Sequence, residues 1–198
     1  MRGSAEQAIG AALRGELVVV PTDTVYGIGA RPDLARATAA IFAAKGRSRR
    51  LGLPLLLPSA ESAEDVAVMD ERAGRLAGGL WPGAITLVLP RTARSAPWDL
   101  GGDDATIGIR VPRHRLALEV LDGTGPLAVT SANPTGAATP SSCDEIVELF
   151  GDAVAVYVCE ERRPPGRAST VIDLAHGDPV ILRSGEVDER TIEALLAG

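Results

Sequence analysis

Short apolar runs alternate with stretches of helical period along this chain, and glycine and proline stand at most of the changeovers. "ELVVV" (16–20) reads as a buried strand ended by Pro21. After a loop, Leu34, Thr38, Ile41 and Ala44 share one helical face, with Asp33 placed to cap that helix and Gly46 to end it in the left-handed conformation. "LPLLL" (53–57) is another short strand, and two helical pieces over about 60–79 lead to the turn Trp81-Pro82-Gly83 and a strand at 84–89. In "ATIGIRVP" (105–112) strict alternation puts Thr106, Gly108 and Arg110 on one face and Ile107, Ile109 and Val111 on the other. Pro112 suits the start of the following helix.

"PLAVT" (126–130) is a strand running into the loop "SANPTGAATPSS". Ser142 and Glu145 then fit a capping box that opens a helix to Phe150, stopped by Gly151. Strands at 153–158, 169–174 and 179–183 and a helix from about 188 complete the chain. Strands mixed with helices, and several consecutive strands late in the chain, predict an α/β (α+β) fold: one domain over 1–198 with a mixed β-sheet flanked by helices, not a doubly wound parallel sheet. There is no internal repeat, low-complexity tract or linker.

Composition narrows the partners. The 198 residues are ordinary in apolar (45%) and charged (23%) content, and the net charge of −6 argues against a protein that grips a long phosphate backbone. A local basic cleft is compatible with that total. The two cysteines, Cys143 and Cys159, lack CxxC spacing, so neither a disulfide framework nor a thiolate zinc site is expected and the compartment reads as reducing. No apolar run approaches 18 residues, and the first residues are amphipathic, without the pattern of a secretory leader. The expectation is a cytoplasmic protein with no membrane partner.

Several common chemistries are missing. There is no GxxxxGK[ST], "GIGARP" lacks the third glycine of a dinucleotide fingerprint, and no GxSxG is present. His114 and His176, far apart, do not suggest a metal site. What remains are two polar loops leaving buried strands. "PTDTVYGIG" (21–29) offers Thr22, Asp23 and Thr24, and "TSANPTG" (130–136) offers Ser131 and Asn133, which is where ligands sit in open α/β sheets. Such residues are also ordinary turn formers.

Of the 20 basic residues, 19 are arginine and one, Lys45, is lysine. It stands in "KGR" before Gly46 and Arg47. A compact ammonium can approach several oxygens as a point charge, while a guanidinium makes a bidentate fork, so the two together suit a polyphosphate, or a phosphate beside a carboxylate. Arg110 and Arg183 are further anchors of that type. A helix-end cation or a surface salt bridge is the bland alternative for each.

The ordered motifs "PTDTVYGIGA", "KGR", "WPGAITLVLP", "TIGIRVPRH", "TSANPTGAATPS", "STVID" and "ILRSGE" together resemble the YrdC/Sua5 family, the threonylcarbamoyl-AMP synthases, over residues 7–187. The resemblance implies a twisted sheet forming one wall of a large open cleft. It implies that L-threonine, bicarbonate and ATP are joined into threonylcarbamoyl-adenylate and pyrophosphate, for modification of adenosine 37 in tRNA by a separate transfer complex. Direct tRNA contact by the chain is left open. Mg²⁺ would come with ATP, with no metal ligand from protein side chains and no organic cofactor.

By motif, Thr24, Arg110, Ser131 and Ser169 would bind threonine, Arg110 taking the carboxylate. Lys45, Arg47, Thr106, Asn133, Ser141 and Arg183 would bind ATP. Lys45, Arg47, Ser131 and Asn133 would form the reacting centre. The family pattern often continues KxRPxxxPLxxH; here Ser48 follows Arg47 and Pro58 stands where the histidine is expected. The chain ends soon after "ILRSGE", so the additional C-terminal domain of the longer Sua5 members is expected to be absent. Two other readings stay open: a non-catalytic RNA-binding or ribosome-maturation protein of the same fold, and a related carbamoyl-adenylating enzyme.

Overall fold

The structure, a computed structural model, describes residues 1–140, 142–160 and 167–197. Helices α1 (Ala5–Leu13), α2 (Ala35–Lys45), α3 (Ala63–Val66), α4 (Glu71–Leu80), α5 (Arg115–Thr124), α6 (Cys143–Phe150) and α7 (Glu189–Ala197) surround one sheet. Its strands are β1 (Val18–Val20), β2 (Gly27–Ala30), β3 (Leu55–Leu56), β4 (Ile85–Pro90), β5 (Thr106–Arg110), β6 (Leu127–Ser131), β7 (Val156–Tyr157), β8 (Thr170–Asp173) and β9 (Val180–Arg183). The spatial order is β7-β1-β2-β6-β3-β5-β4-β8-β9. Pairs β1–β7, β3–β5 and β4–β8 are parallel and the rest antiparallel, so the sheet is mixed, as the sequence predicts.

The two faces of that sheet are treated differently. Val19, Ile28, Leu55, Ile85, Leu87, Ile107, Ile109 and Ile172 point into a large apolar cluster with residues of α2, α3, α4, α6 and α7. Val18, Val20, Leu56, Leu127 and Val129 point the other way, into a smaller cluster with α1 and α5. Those two helices cover only the β1–β2–β6–β3 part of their face. On β5 and β4 the same face carries Thr106, Gly108, Arg110, Thr86 and Val88, which line an open cleft. The strand alternation therefore separates a core face, worth roughly 1.5–3 kcal/mol per fully buried Leu or Ile, from a site face.

Local signals hold in several places. Gly46 ends α2 at φ 58°, and Ser142 accepts a hydrogen bond from the Glu145 N–H at the start of α6. Others do not. Asp33 does not cap α2, because Arg31 grips both of its carboxylate oxygens (2.9 and 2.5 Å) and Leu34 takes the cap position. The helix after Pro112 begins only at Arg115, with His114 at its cap. "GIGA" is not loop but strand β2: Gly27 and Gly29 pair with β6, where an added Cβ would lie 2.5 and 2.7 Å from the Val129 methyls. Glycine is there to let two strands pack closely, not to turn the chain.

The expectation of no disulfide is also corrected. Cys143 and Cys159, 16 residues apart, are bonded with Cα atoms 5.7 Å apart, because α6 folds the chain back between them. Cross-links over loops of this size contribute roughly 2–4 kcal/mol. Reductant is expected to lower the urea-unfolding stability of the wild type by that much, and to leave a Cys143→Ser/Cys159→Ser double variant unchanged.

Candidate active site

The uncovered half-face forms a cleft of about 640 Å³, and residues from all seven motifs line it. Thr24, Arg47, Thr106, Arg110, Ser131, Ser169 and Arg183 all face it. Ser141 lies outside the described residues. Lys45 and Asn133 stand just behind the wall, 3% and 9% exposed.

One end is built on β5 and the loop after β1. Arg110 is almost fully buried, and its guanidinium donates from Nε to the Gly83 carbonyl (2.8 Å), from Nη1 to Thr24 Oγ1 (3.0 Å) and from Nη2 to Asp23 Oδ1 (2.5 Å). Thr22 organises the turn beneath it: its hydroxyl donates to the Val25 carbonyl (2.6 Å) and receives the N–H groups of Thr24 and Val25, each at 3.2 Å. Beside them Arg183, at the end of β9, donates to the Ser169 carbonyl and to Ser169 Oγ (3.0 Å), and Ser169 Oγ lies 3.0 Å from Thr86 Oγ1.

The other end is the helix terminus and the loop after β6. The Lys45 ammonium donates to the carbonyls of Ser131 and Asn133, while the Lys45 carbonyl receives the Thr135 N–H at 3.0 Å. Lys45 thus clamps the "SAN" loop to the end of α2. The Asn133 amide nitrogen donates to Ala137 O (2.8 Å) and Pro134 O (3.1 Å), and its buried Oδ1 has no partner among the described residues. Arg47 folds over the next turn, donating to the carbonyls of Leu51 (3.1 Å) and Gly52 (2.9 Å). The departure after Arg47 also has a definite path: Gly102 N–H donates to Arg49 O (2.7 Å) and Leu53 N–H to Leu100 O (2.9 Å), pinning 49–53 to 100–102. Arg49 ion-pairs with Asp99 and stacks 4.7 Å over Phe42; Pro58 is not among the residues lining the cleft.

The electrostatics favour anions. Burial lowers the proton affinity of Arg47, Arg110 and Arg183, and the Arg183 charge lowers the first two further; for Arg110, Asp23 partly opposes this. Lys45 is pushed down to about 8 by burial and by Arg47. Cations gathered with too few counter-charges, in a protein of net charge −6, form a site whose missing charge is supplied by an anionic ligand. Among the described residues no group of three or more His, Cys, Asp or Glu could hold a metal ion. The groups facing the cleft are mainly hydroxyls and cations, which suit carboxylate and phosphate oxygens and not a divalent cation.

Some lining residues escaped the sequence reading. Thr86 is the one hydroxyl in the apolar strand "ITLVL", and the alternation that marks the polar face of β5 marks it too. Arg91 donates to the carbonyls of Thr106 and Trp98 (both 2.8 Å), holding the end of β5. Thr106 itself donates to Asp103 Oδ2 (3.0 Å), so its oxygen faces a ligand as an acceptor. Neither histidine lines the cleft: His114 bonds Glu160 and His176 bonds Asp173.

A family model named Sua5_yciO_yrdC and described as telomere recombination matches residues 11–185. A Mycobacterium tuberculosis relative is 40% identical over 190 residues, which is 96% of this chain and 87% of the relative. The threonylcarbamoyl-AMP synthase of Pyrococcus abyssi is 37% identical over 191 residues, again 96% of this chain but 56% of that protein. The crystal structure of P. abyssi Sua5 complexed with L-threonine superposes with a TM-score of 0.91 at 36% identity, covering 97% of this chain and 57% of that one.

Proposed function

The chain belongs to the Sua5/YciO/YrdC family, and from that membership we propose that it is a threonylcarbamoyl-AMP synthase, joining L-threonine, bicarbonate and ATP into threonylcarbamoyl-adenylate and pyrophosphate. The observation that carries the reading is one cleft holding a fork for an amino-acid carboxylate, Arg110 beside Thr24, next to cations for a polyphosphate, Arg183 and Arg47. The relatives named above supply the reaction; the residues supply a site of matching charge and size.

The amine of threonine adds to CO2 derived from bicarbonate, giving a carbamate. A carbamate oxygen then attacks the α-phosphorus of ATP and pyrophosphate leaves. Arg110, Thr24, Ser131 and Ser169 hold the amino acid. Arg47, Thr106, Ser141 and Arg183 hold the nucleotide, and Lys45 with Ser131 and Asn133 shapes the wall between them. Most of the acceleration comes from alignment and from fixed cations facing charge that develops on the phosphates. Magnesium would come with ATP and would supply further positive charge beside that of Arg47 and Arg183. The product passes to a separate tRNA threonylcarbamoyl-transfer machinery in the cytoplasm, and the fold holds no helix, among the described residues, long and apolar enough to cross a membrane.

The test is pyrophosphate release with each substrate omitted in turn. Release that needs ATP, L-threonine and bicarbonate together is the expected result. Release independent of threonine but dependent on another carbamate source would instead make this a related carbamoyl-adenylating enzyme, and salt-sensitive RNA binding without release would make it a binding protein.

A further inference from the structure

The loop that leaves β6 brings Ser131, Asn133 and Thr139 to the cleft or its wall, yet Thr135 to Thr139 are exposed, so packing does little to fix it. Bonds at its two ends hold it instead. At the start, besides the Lys45 clamp, the Ala132 N–H donates to the Tyr26 carbonyl (2.8 Å). At the far end stands Cys143, the first residue of α6, bonded to Cys159.

Cys159 sits on a firm support. Just before it the Val158 N–H donates to the Val19 carbonyl (2.8 Å), extending the pairing of β7 with β1. Just after it the Glu160 N–H donates to the Tyr26 hydroxyl (3.1 Å), which donates in turn to the Glu160 carbonyl (3.3 Å). The Glu160 carboxylate lies 3.0 Å from His114 Nε2, at the cap of α5. Tyr26, fully buried, therefore serves both ends of the loop: its carbonyl holds Ala132 and its hydroxyl holds Glu160. A ring closes from Ala132 through Tyr26, Glu160, Cys159 and Cys143, and back along the loop. The disulfide is the one link of that ring that a change of redox conditions can open.

We propose that the Cys143–Cys159 bond is a redox-operated lock on this loop, holding it in its substrate-binding shape when oxidised and releasing its far end when reduced. The inference rests on the proposed synthase reading and adds regulation to its site. In a cytoplasmic protein such pairs act as sensors more often than as staples. Opening is thiol–disulfide exchange with a dithiol. One thiolate attacks Cys159 Sγ, partly exposed where Cys143 is buried, and Cys143 leaves as a thiolate that takes up a proton. The second thiol of the reductant then displaces Cys159 and closes its own disulfide, so that two electrons and two protons end on the protein.

Ile146 and Phe150 keep α6 seated in the core, so reduction frees the loop and not the helix. Bound substrate orders the freed loop again, which places the cost on binding. If about a tenth of reduced molecules hold the loop in place, KM for ATP rises about tenfold while kcat stays within about twofold.

The test follows free thiols, circular dichroism, hydrogen exchange and pyrophosphate release in the wild type at graded ratios of reduced to oxidised dithiothreitol, and in Cys143→Ser/Cys159→Ser. The oxidised wild type should show no free thiol. Reduction should leave the dichroism unchanged, speed exchange at the Ala137 amide, which donates to Pro134 O (3.1 Å), and raise KM for ATP about tenfold; reoxidation should reverse both effects. The double variant should keep the reduced values in every buffer. A merely structural loss removes active molecules, lowering kcat at constant KM, and that result overturns the proposal. So do thiols that titrate in the oxidised wild type, or an active protein whose KM for ATP ignores the ratio. Should the double variant fail to fold, the reversibility of the wild type decides. A protein whose Ala137 exchange follows the redox state but which releases no pyrophosphate in either supports the lock and overturns the synthase reading.

Discussion

Arg110→Met is expected to lower stability by roughly 3–5 kcal/mol and to remove threonine-dependent pyrophosphate release. The side chains of Arg110 and Asp23 are 7% and 15% exposed, so deleting the cation strands a carboxylate and leaves the Gly83 carbonyl and Thr24 Oγ1 short of a donor. Most of that cost comes from the orphaned charge and not from the net strength of the pair. Combining it with Asp23→Asn should therefore recover more than half of the lost stability while recovering none of the activity. Arg110→Lys separates the two effects differently. It keeps a charge against Asp23 but cannot fork, so it should fold, and kcat/KM for threonine should fall roughly 10²- to 10³-fold with KM for ATP little changed. Urea unfolding and pyrophosphate release report the two quantities independently. An Arg110→Lys enzyme within about threefold of wild type would remove Arg110 from the carboxylate site.

Arg110 and Asp23 also mark where the sequence is legible and where it is not. The alternation in "TIGIR" by itself puts Thr106 and Arg110 on one face, and β5 does present both to the cleft. What alternation cannot disclose is which loop meets Arg110, since Asp23 is 87 residues away and arrives only through the order β2-β6-β3-β5. The same limit hid the bond between Cys143 and Cys159, which depends on the turn of α6. Local signals failed where another contact, near or far in the chain, overrode them. Arg31 took Asp33 from its cap, and Val129 demanded glycines in β2 that read as a turn. Polarity patterns thus located the site face, and three-dimensional pairing decided which side chains are free to meet a ligand.

That distinction matters most for Lys45, the lone lysine. Its position in "KGR" suggested an ammonium among substrate oxygens, yet at 3% exposure two of its three protons go to the carbonyls of Ser131 and Asn133. A small cation with rotatable donors fits between two carbonyls where a planar guanidinium does not, which accounts for the choice of residue as well as phosphate binding would. Lys45→Arg is accordingly expected to fold but to displace the loop and lose roughly 10²-fold in activity at about pH 7.5. The pH dependence tells charge from clamping. With its proton affinity lowered to about 8 from 10.5, Lys45 in the folded chain releases a proton that the unfolded chain keeps, so the stability linked to this group rises between those two values. Activity should run the other way. A neutral amine still has two N–H groups for the two carbonyls but no charge for the nearby phosphates, so wild-type kcat should fall about tenfold per unit above about pH 8 while the fold grows no weaker at this site. Arginine stays charged throughout that range, so the residual activity of Lys45→Arg should lack the alkaline fall. Parallel alkaline limbs in the two proteins would assign the proton to another group and leave Lys45 as a clamp alone. Faster hydrogen exchange at the Thr135 amide in Lys45→Arg would then measure how much of the loop that clamp holds.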